Sequence, residues 1–143
     1  MGDRCYVNGL VKRADWEKFK ELTYLGDEYH IEESDDVNAV AFVVEEANYG
    51  FHDEARKAAK NDLTFVSYNT AGDGYGMFGA FSTGNGVLHL VPVDAEYSIA
   101  VSLKNSSPEI DPAEMERAVA AWSAERECYE IFKHAPDSQE GGD

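Results

Sequence analysis

The chain has 143 residues, 43% of them apolar and 12% aromatic, which suits one domain with a packed core and excludes a disordered chain. Its 28 Asp and Glu residues against 12 Lys and Arg give a net charge of −16 and argue against direct nucleic-acid binding, because phosphate contacts require basic side chains. Two cysteines are too few for a disulfide framework, and we expect Cys5 and Cys128 to be reduced. No segment is long and apolar enough to span a membrane, and residues 1–6 carry no secretion or myristoylation signal.

These observations predict a protein of the cytoplasm. A single acidic domain is expected over residues 1–133, with a flexible tail over residues 134–143, where no apolar anchor occurs. The acidity has two open interpretations. It either marks a site for a basic protein partner or serves solubility and salt tolerance without marking any site.

The first half of the chain alternates between strand and helix patterns. Residues 5–12 predict a strand, and residues 14–25 predict an amphipathic helix from the spacing of its aromatic residues. Two strands over residues 28–33 and 39–44 follow, joined by a polar turn. A short helix is then expected over residues 52–61 and another strand over residues 63–68.

The second half begins with the clearest hairpin, because Gly84-Asn85-Gly86 separates strand patterns at residues 77–82 and 87–91. Alternating apolar residues predict a further strand over residues 97–103. Asp111 before Pro112 is typical of a helix start. The long C-terminal helix is expected to face the sheet with its bulky residues at helical spacing, namely Met115, Val119, Trp122, Tyr129 and Phe132.

Together these elements predict an α+β fold. We expect a mainly antiparallel sheet of about six or seven strands, with the long C-terminal helix and the shorter first helix covering one face. The opposite face would then expose aromatic residues, for which Tyr6, Phe78, Phe81 and Tyr97 are the candidates. Since exposed apolar patches are usually contact surfaces, this arrangement also predicts a homodimer.

No motif of catalysis or cofactor binding is present. The glycine-rich residues 72–76 lack the Lys-Ser/Thr of a phosphate-binding loop and lead into a strand rather than a helix. There is no HExxH, CxxC or calcium-loop pattern for a metal, and no GxSxG turn for a nucleophilic serine. We therefore expect no cofactor, no metal and no catalytic residue, and a non-enzymatic role is the leading hypothesis.

The leading functional hypothesis rests on clustered carboxylates. They are concentrated in one stretch and continue after the next strand, and no basic residue interrupts the first stretch. An acidic face of this kind favours fast, salt-sensitive binding to a basic protein. In composition the chain resembles small phage and plasmid proteins that mimic nucleic acid and inhibit restriction or CRISPR systems. The predicted partner-binding residues are Asp27, Glu28, Glu32, Glu33, Asp35, Asp36, Glu45, Glu46, Asp53 and Glu54.

The alternative is a small-ligand-binding domain or an enzyme. Polar and aromatic residues follow the ends of two strands, near residues 45–52 and 68–75, and strand ends often carry binding sites. If those strands run parallel through the short helix, the side chains would converge on one concavity. The predicted pocket residues are Glu46, Asn48, Tyr49, His52, Tyr68, Asp73 and Tyr75.

Overall fold

A computed structural model describes residues 4–23, 29–32, 37–48, 51–70, 76–101, 103 and 108–134. In chain order, the elements are β1 (Arg4–Lys12), a short 3-10 turn (Arg13–Asp15), α1 (Trp16–Thr23), β2 (Tyr29–Glu32), β3 (Ala39–Asn48), α2 (His52–Lys60), β4 (Thr64–Asn69), β5 (Phe78–Thr83), β6 (His89–Pro92) and α3 (Pro112–Lys133). Apart from His134, the predicted tail lies outside the described residues.

The described strands form one sheet of order β2-β3-β1-β4-β5-β6, in which all neighbours are antiparallel. The predicted α+β class and the antiparallel character of the sheet are therefore confirmed. β3 and β4 both run antiparallel to β1, which lies between them, so they run parallel to each other without pairing. α2 connects these two strands across β1.

Apolar residues cover both faces of the sheet. Because side chains alternate along a strand, neighbours on β4 and β5 enter different core layers. Phe65 and Ala80 belong to a layer with residues of α1 and α2, whereas Val66 and Phe81 belong to a layer with residues of α3. The prediction that α3 and α1 cover the same face is therefore wrong. Each face is apolar enough to require its own helical cover.

The strand predicted over residues 97–103 does not form. Ile99 and Leu103 make only isolated bridges, to Val93 and Ile110 respectively. The alternation is interrupted at Tyr97, whose φ of 66° is left-handed and incompatible with a strand. The sheet therefore ends at β6 in the part of the chain that the structure describes. It does not reach the seven strands that were the upper limit of the prediction.

The hairpin of β5 and β6 is confirmed, with Phe78 opposite Pro92 and Phe81 opposite His89. Its loop is longer than the two-residue turn that Asn-Gly commonly makes. The positive φ angles fall on the two glycines, 98° at Gly84 and 86° at Gly86, which adopt this conformation without steric cost.

α3 begins where the sequence predicts. The Asp111 carboxylate accepts a hydrogen bond from the Ala113 backbone N–H at 2.9 Å, and Pro112 occupies the first helical position. The other end of α3 meets the start of β3, because the Asn38 backbone N–H donates to the Phe132 carbonyl at 3.0 Å. α3 is thus fixed over β4, β5 and β6.

The face that α3 turns to the sheet matches the predicted one only at its C-terminal end, where Phe132 is buried and Tyr129 packs against the same core layer. Its buried residues are mostly small, namely Ala118, Ala121, Ala124, Glu125, Cys128 and Phe132. Met115, Val119 and Trp122 are instead exposed, so the prediction that they belong to the core is wrong. Alanines at a spacing of three residues let the helix approach the sheet closely, and that close packing excludes the bulkier stripe.

Candidate functional site

The outward face of α3 carries a stripe of large apolar side chains. Met115 is 39% exposed, Val119 54% and Trp122 55%, and their spacing places them on one side of the helix. We call these three residues the α3 stripe. Folded proteins expose many single apolar residues, but a contiguous row that includes a tryptophan is typical of a contact surface.

Arg126 continues the α3 stripe toward the C-terminal end of the helix. Its guanidinium carbon lies 5.8 Å from the ring centre of Trp122 and 5.5 Å from that of Tyr129, within the range of cation–π attraction. The same guanidinium pairs with a Glu125 carboxylate oxygen at 3.1 Å. One arginine therefore joins the exposed stripe to a group of partly buried tyrosines.

Those tyrosines surround the buried carboxylate of Glu125. The Tyr68 hydroxyl donates a hydrogen bond to Glu125, and it lies 3.2 Å from the Tyr129 hydroxyl. Burial, with smaller contributions from Tyr129 and Glu125, raises the pKa of Tyr68. The Tyr68 phenol is therefore protonated at neutral pH and serves as a hydrogen-bond donor.

Tyr97 completes the group from the opposite side. Its ring stacks on that of Tyr68 at a centroid distance of 4.8 Å, and the Asn8 amide nitrogen donates to its hydroxyl at 3.2 Å. The left-handed backbone at Tyr97 is held by Asp94, whose carboxylate accepts from the Glu96 and Ser98 N–H groups, both at 2.9 Å. Such a conformation costs of order 1 kcal/mol or more and persists only where the surroundings impose it.

A cavity of about 430 Å³ opens beside these rings, where α3 does not cover β1 and β3. Its floor is apolar and includes Leu10, Val43 and Val66, and its polar groups come from Asn8 and the tyrosines. We call this cavity the tyrosine cleft. Its wall is formed by Tyr6, Tyr68, Tyr97 and Tyr129. A second cavity, of about 400 Å³, shares Tyr68, Tyr97 and Tyr129 with it and adds Glu96, Glu125, Arg126 and Lys133.

Two of the predicted partner-binding carboxylates, Asp53 and Glu54, have described side chains. Asp27, Glu28, Glu33, Asp35 and Asp36 lie outside the described residues, and for Glu32, Glu45 and Glu46 only the strand positions are described. Asp53 and Glu54 open α2.

Those two carboxylates differ in environment. Asp53 is exposed and pairs with Arg56 at 3.1 Å. Glu54 is half-buried, and burial raises its pKa. These two acidic residues therefore provide a weaker acidic surface than two free carboxylates would.

Two residues of the predicted small-ligand pocket have described side chains. These two, His52 and Tyr68, lie on opposite faces of the sheet. The His52 ring is 5.3 Å from Phe78 on the α2 side, and burial lowers its pKa, partly offset by a hydrogen bond with Asn69. Tyr68 lies with α3 on the other side. Glu46 and Asn48 are described only as β3 positions, and Tyr49, Asp73 and Tyr75 lie outside the described residues.

The described residues include no group of three His, Cys, Asp or Glu side chains able to hold a metal ion. No helix in the described ranges has the length and apolarity needed to cross a membrane. Cys128 is a free thiol buried between α3 and the sheet, and burial raises its pKa to about 12. A thiol in that state is a poor nucleophile.

The sequence did not identify Asn8, Tyr97, Glu125, Arg126 and Tyr129 as residues grouped around Tyr68. The sequence does contain one indication of the role of Glu125. This residue lies on the same helix face as the alanines at positions 118, 121 and 124, and a carboxylate on a face of small residues indicates a buried polar partner. The partner Tyr68 is 57 residues away in sequence, a distance over which no local pattern operates.

Comparison of the chain with protein-family models, with curated proteins and with solved structures finds no match.

Proposed function

We propose that this chain is a non-enzymatic binding protein that engages a basic protein partner through the α3 stripe and the acidic surface around it. The observation that carries the proposal is the outward position of Met115, Val119 and Trp122 on a helix whose core side is made of alanines. A helix that buries its small residues and exposes its large ones leaves apolar area to be covered by another molecule.

The composition of this surface supports a protein contact. Tryptophan and arginine are the residues most enriched among those that dominate binding energy at interfaces, and Trp122 and Arg126 lie side by side here. Val119 and Met115 extend the apolar area along the helix by about two turns. A groove that accepts one face of a helix is a common way to recognise such a stripe.

Charge determines the kind of partner. The chain carries a net charge of −16, and α3 exposes Glu116 and Glu127 beside the basic Arg117 and Arg126. A groove lined with Lys and Arg would complement this surface and accelerate encounter, whereas an acidic partner would be repelled. Nucleic-acid-binding enzymes present such basic surfaces. Inhibition of one of them by nucleic-acid mimicry, in host defence or in mobile elements, is the specific form of the proposal, with the predicted carboxylates of residues 27–54 as the mimicking groups. Of these, Asp53 and Glu54 begin α2 on the sheet face opposite α3, so they would contact a different part of the partner from the stripe.

The compartment proposed is the cytoplasm. Cys128 is a free cysteine in the described part of the chain, and free cysteines are usual in proteins of the cytoplasm.

The experiment compares capture of partners by matched variants. Trp122→Ala and Val119→Ser remove the stripe, and Val87→Ser makes the same change at a residue of similar exposure, 47%, on the β5–β6 hairpin. The wild-type chain and Val87→Ser should retain a basic partner at low salt and lose it at high salt, while the two stripe variants lose it at both. Equal capture by all four proteins would contradict the role of the stripe.

A second copy of the chain is the other occupant that the stripe could have. The homodimer predicted from exposed aromatics has lost part of its basis, because Phe81 is fully buried and Phe78 lies on the α2 side. Self-repulsion between chains of charge −16 also opposes it. Light scattering separates the two cases, since a mass near 15.8 kDa agrees with a free stripe and twice that mass assigns the stripe to a second copy.

A further inference from the structure

We propose that the tyrosine cleft receives an arginine side chain of the basic partner. The inference rests on the proposed function for the origin of that arginine, whereas the binding of a guanidinium by the cleft stands on the cleft's own geometry. The cleft lies beside α3, and Arg126 and Tyr129 connect it to the α3 stripe. A partner lying along α3 therefore reaches the cleft.

The shape of the cleft suits a long side chain with a planar end. Its floor of Leu10, Val43 and Val66 offers apolar contact for an alkyl stem. The tyrosine rings offer faces on which a guanidinium can stack. None of the residues that line the cleft is charged, so the floor itself does not repel a cation.

The net charge of the whole chain favours a cation over an anion in the cleft. The chain as a whole is strongly acidic, and clefts with low-dielectric walls concentrate the field of the surrounding charge. Glu96 and Glu125 line the adjoining cavity, although Arg126 and Lys133 lie there as well. Because Arg126 already packs on Tyr129, an incoming arginine would use the rings of Tyr6 and Tyr97.

Arg126 already makes the kind of guanidinium–ring contact that is proposed for the incoming arginine. Its guanidinium packs on the rings of Trp122 and Tyr129 while it pairs with Glu125, so rings of this cluster accept this group within the chain itself. Asn8 adds a directional group for the incoming arginine. Since the Asn8 amide nitrogen donates to Tyr97, its carbonyl oxygen is the atom of that side chain able to accept from a guanidinium.

Tyr97 is held in place before any ligand arrives. Its left-handed backbone, the hydrogen bonds around Asp94, the stacking on Tyr68 and the bond from Asn8 all fix the ring. A ring that is already ordered loses little freedom on binding, and preorganisation of this kind increases affinity.

The test uses two small probes rather than the partner. N-acetyl-arginine methylamide and N-acetyl-citrulline methylamide have nearly the same shape, but only the first is charged. In an NMR titration the arginine probe should shift resonances of Tyr6, Asn8 and Tyr97, and it should bind roughly fivefold or more tightly than the citrulline probe, the size expected of a cation–π contact. Equal binding of the two probes, or shifts confined to other parts of the chain, would overturn the inference.

Substitutions of cleft residues test whether the arginine probe binds in the tyrosine cleft. Tyr97→Leu and Tyr6→Leu should each weaken the arginine probe severalfold, and Tyr6 is 42% exposed, so its replacement leaves the core intact. Val119→Ser should leave probe binding unchanged while it abolishes capture of the partner. Loss of probe binding in Val119→Ser, or unchanged binding in Tyr6→Leu, would contradict the cleft. Failure of partner capture with normal probe binding would count against the proposed function alone.

Discussion

The hydroxyl of Tyr68, on the interior strand β4, donates a hydrogen bond to the buried carboxylate of Glu125 on α3. This contact joins the sheet to the helix at the point where the core layer meets the tyrosine cleft. Glu125 also pairs with Arg126 and thereby with the exposed end of the α3 stripe. One buried carboxylate therefore orders residues that belong to both proposed contact surfaces.

Tyr68→Phe should destabilise the fold. The change leaves a buried oxygen of Glu125 without its donor, which costs about 1–3 kcal/mol in free energy of unfolding. Urea denaturation followed by circular dichroism measures the effect. Tyr6→Phe is the matched control, because the Tyr6 side chain is largely exposed and its hydroxyl should contribute less than about 0.5 kcal/mol. Equal losses in the two variants would show that the Tyr68–Glu125 contact contributes nothing specific.

The free energy of unfolding should fall at alkaline pH because of Tyr68. Burial raises the pKa of Tyr68 above its ordinary 10.0, so the folded state holds the phenolic proton more tightly than the unfolded state does. The resulting stability is fully present below pH 10 and is lost as pH rises above it, by up to about 1.4 kcal/mol per pH unit.

Measurement of the free energy of unfolding between pH 8 and 11 should give a shallower decline for Tyr68→Phe than for the wild-type chain. Lysine deprotonation affects both proteins alike and cancels in the difference. Parallel curves would contradict the raised pKa of Tyr68.

Local patterns predicted most of the elements, because each depends on residues close in sequence. The start of α3 at Asp111 and Pro112 and the hairpin around Gly84 are examples, since capping and turn geometry are fixed within a few residues. The error at residues 97–103 has a local cause that alternation alone does not reveal. The carboxylate of Asp94 organises a turn that places Tyr97 in a left-handed conformation.

The wrong prediction of which side of α3 packs on the sheet has a different cause. α3 contains two possible stripes, one bulky and one rich in alanine, and apolarity alone favours the bulky one. The sheet selects the alanine stripe because Val66, Tyr68 and Phe81 already fill the layer beneath α3 and leave room for small partners only. That choice, and the pairing of Tyr68 with Glu125, depends on contacts between residues far apart in sequence.

Gly9→Ala should be strongly destabilising. Gly9 lies in the middle of β1 between Phe42 and Ser67, and a Cβ at this position would overlap the Val66 carbonyl oxygen. Relief of that overlap requires β1 and β4 to separate, so we expect a loss of about 2 kcal/mol or more. Gly76→Ala is the control, because a Cβ there meets nothing within 4 Å. Thermal denaturation of the two variants decides the matter, and similar melting temperatures would contradict the close approach of β1 and β4.

Cys128 should be inert in the folded protein. Its side chain is fully buried, and its thiol donates to the Ser82 carbonyl at 3.2 Å, with the Phe65 carbonyl 3.7 Å away. Burial raises its pKa to about 12 from an ordinary 9.0. A thiol reagent requires access and thiolate, and the folded state provides neither. Modification therefore depends on opening of the contact between α3 and β5.

The measurement uses the variant Cys5→Ser, in which Cys128 is the remaining cysteine of the two. Ellman's reagent at pH 8 should react with the folded variant on the order of 10³-fold more slowly than with the same protein in urea, because only opened molecules are accessible. Adding Tyr68→Phe should accelerate the reaction in proportion to the stability it removes, since both residues lie under α3. A folded-state rate close to that in urea would mean that α3 does not cover Cys128, and the core layer between this helix and the sheet would have to be revised.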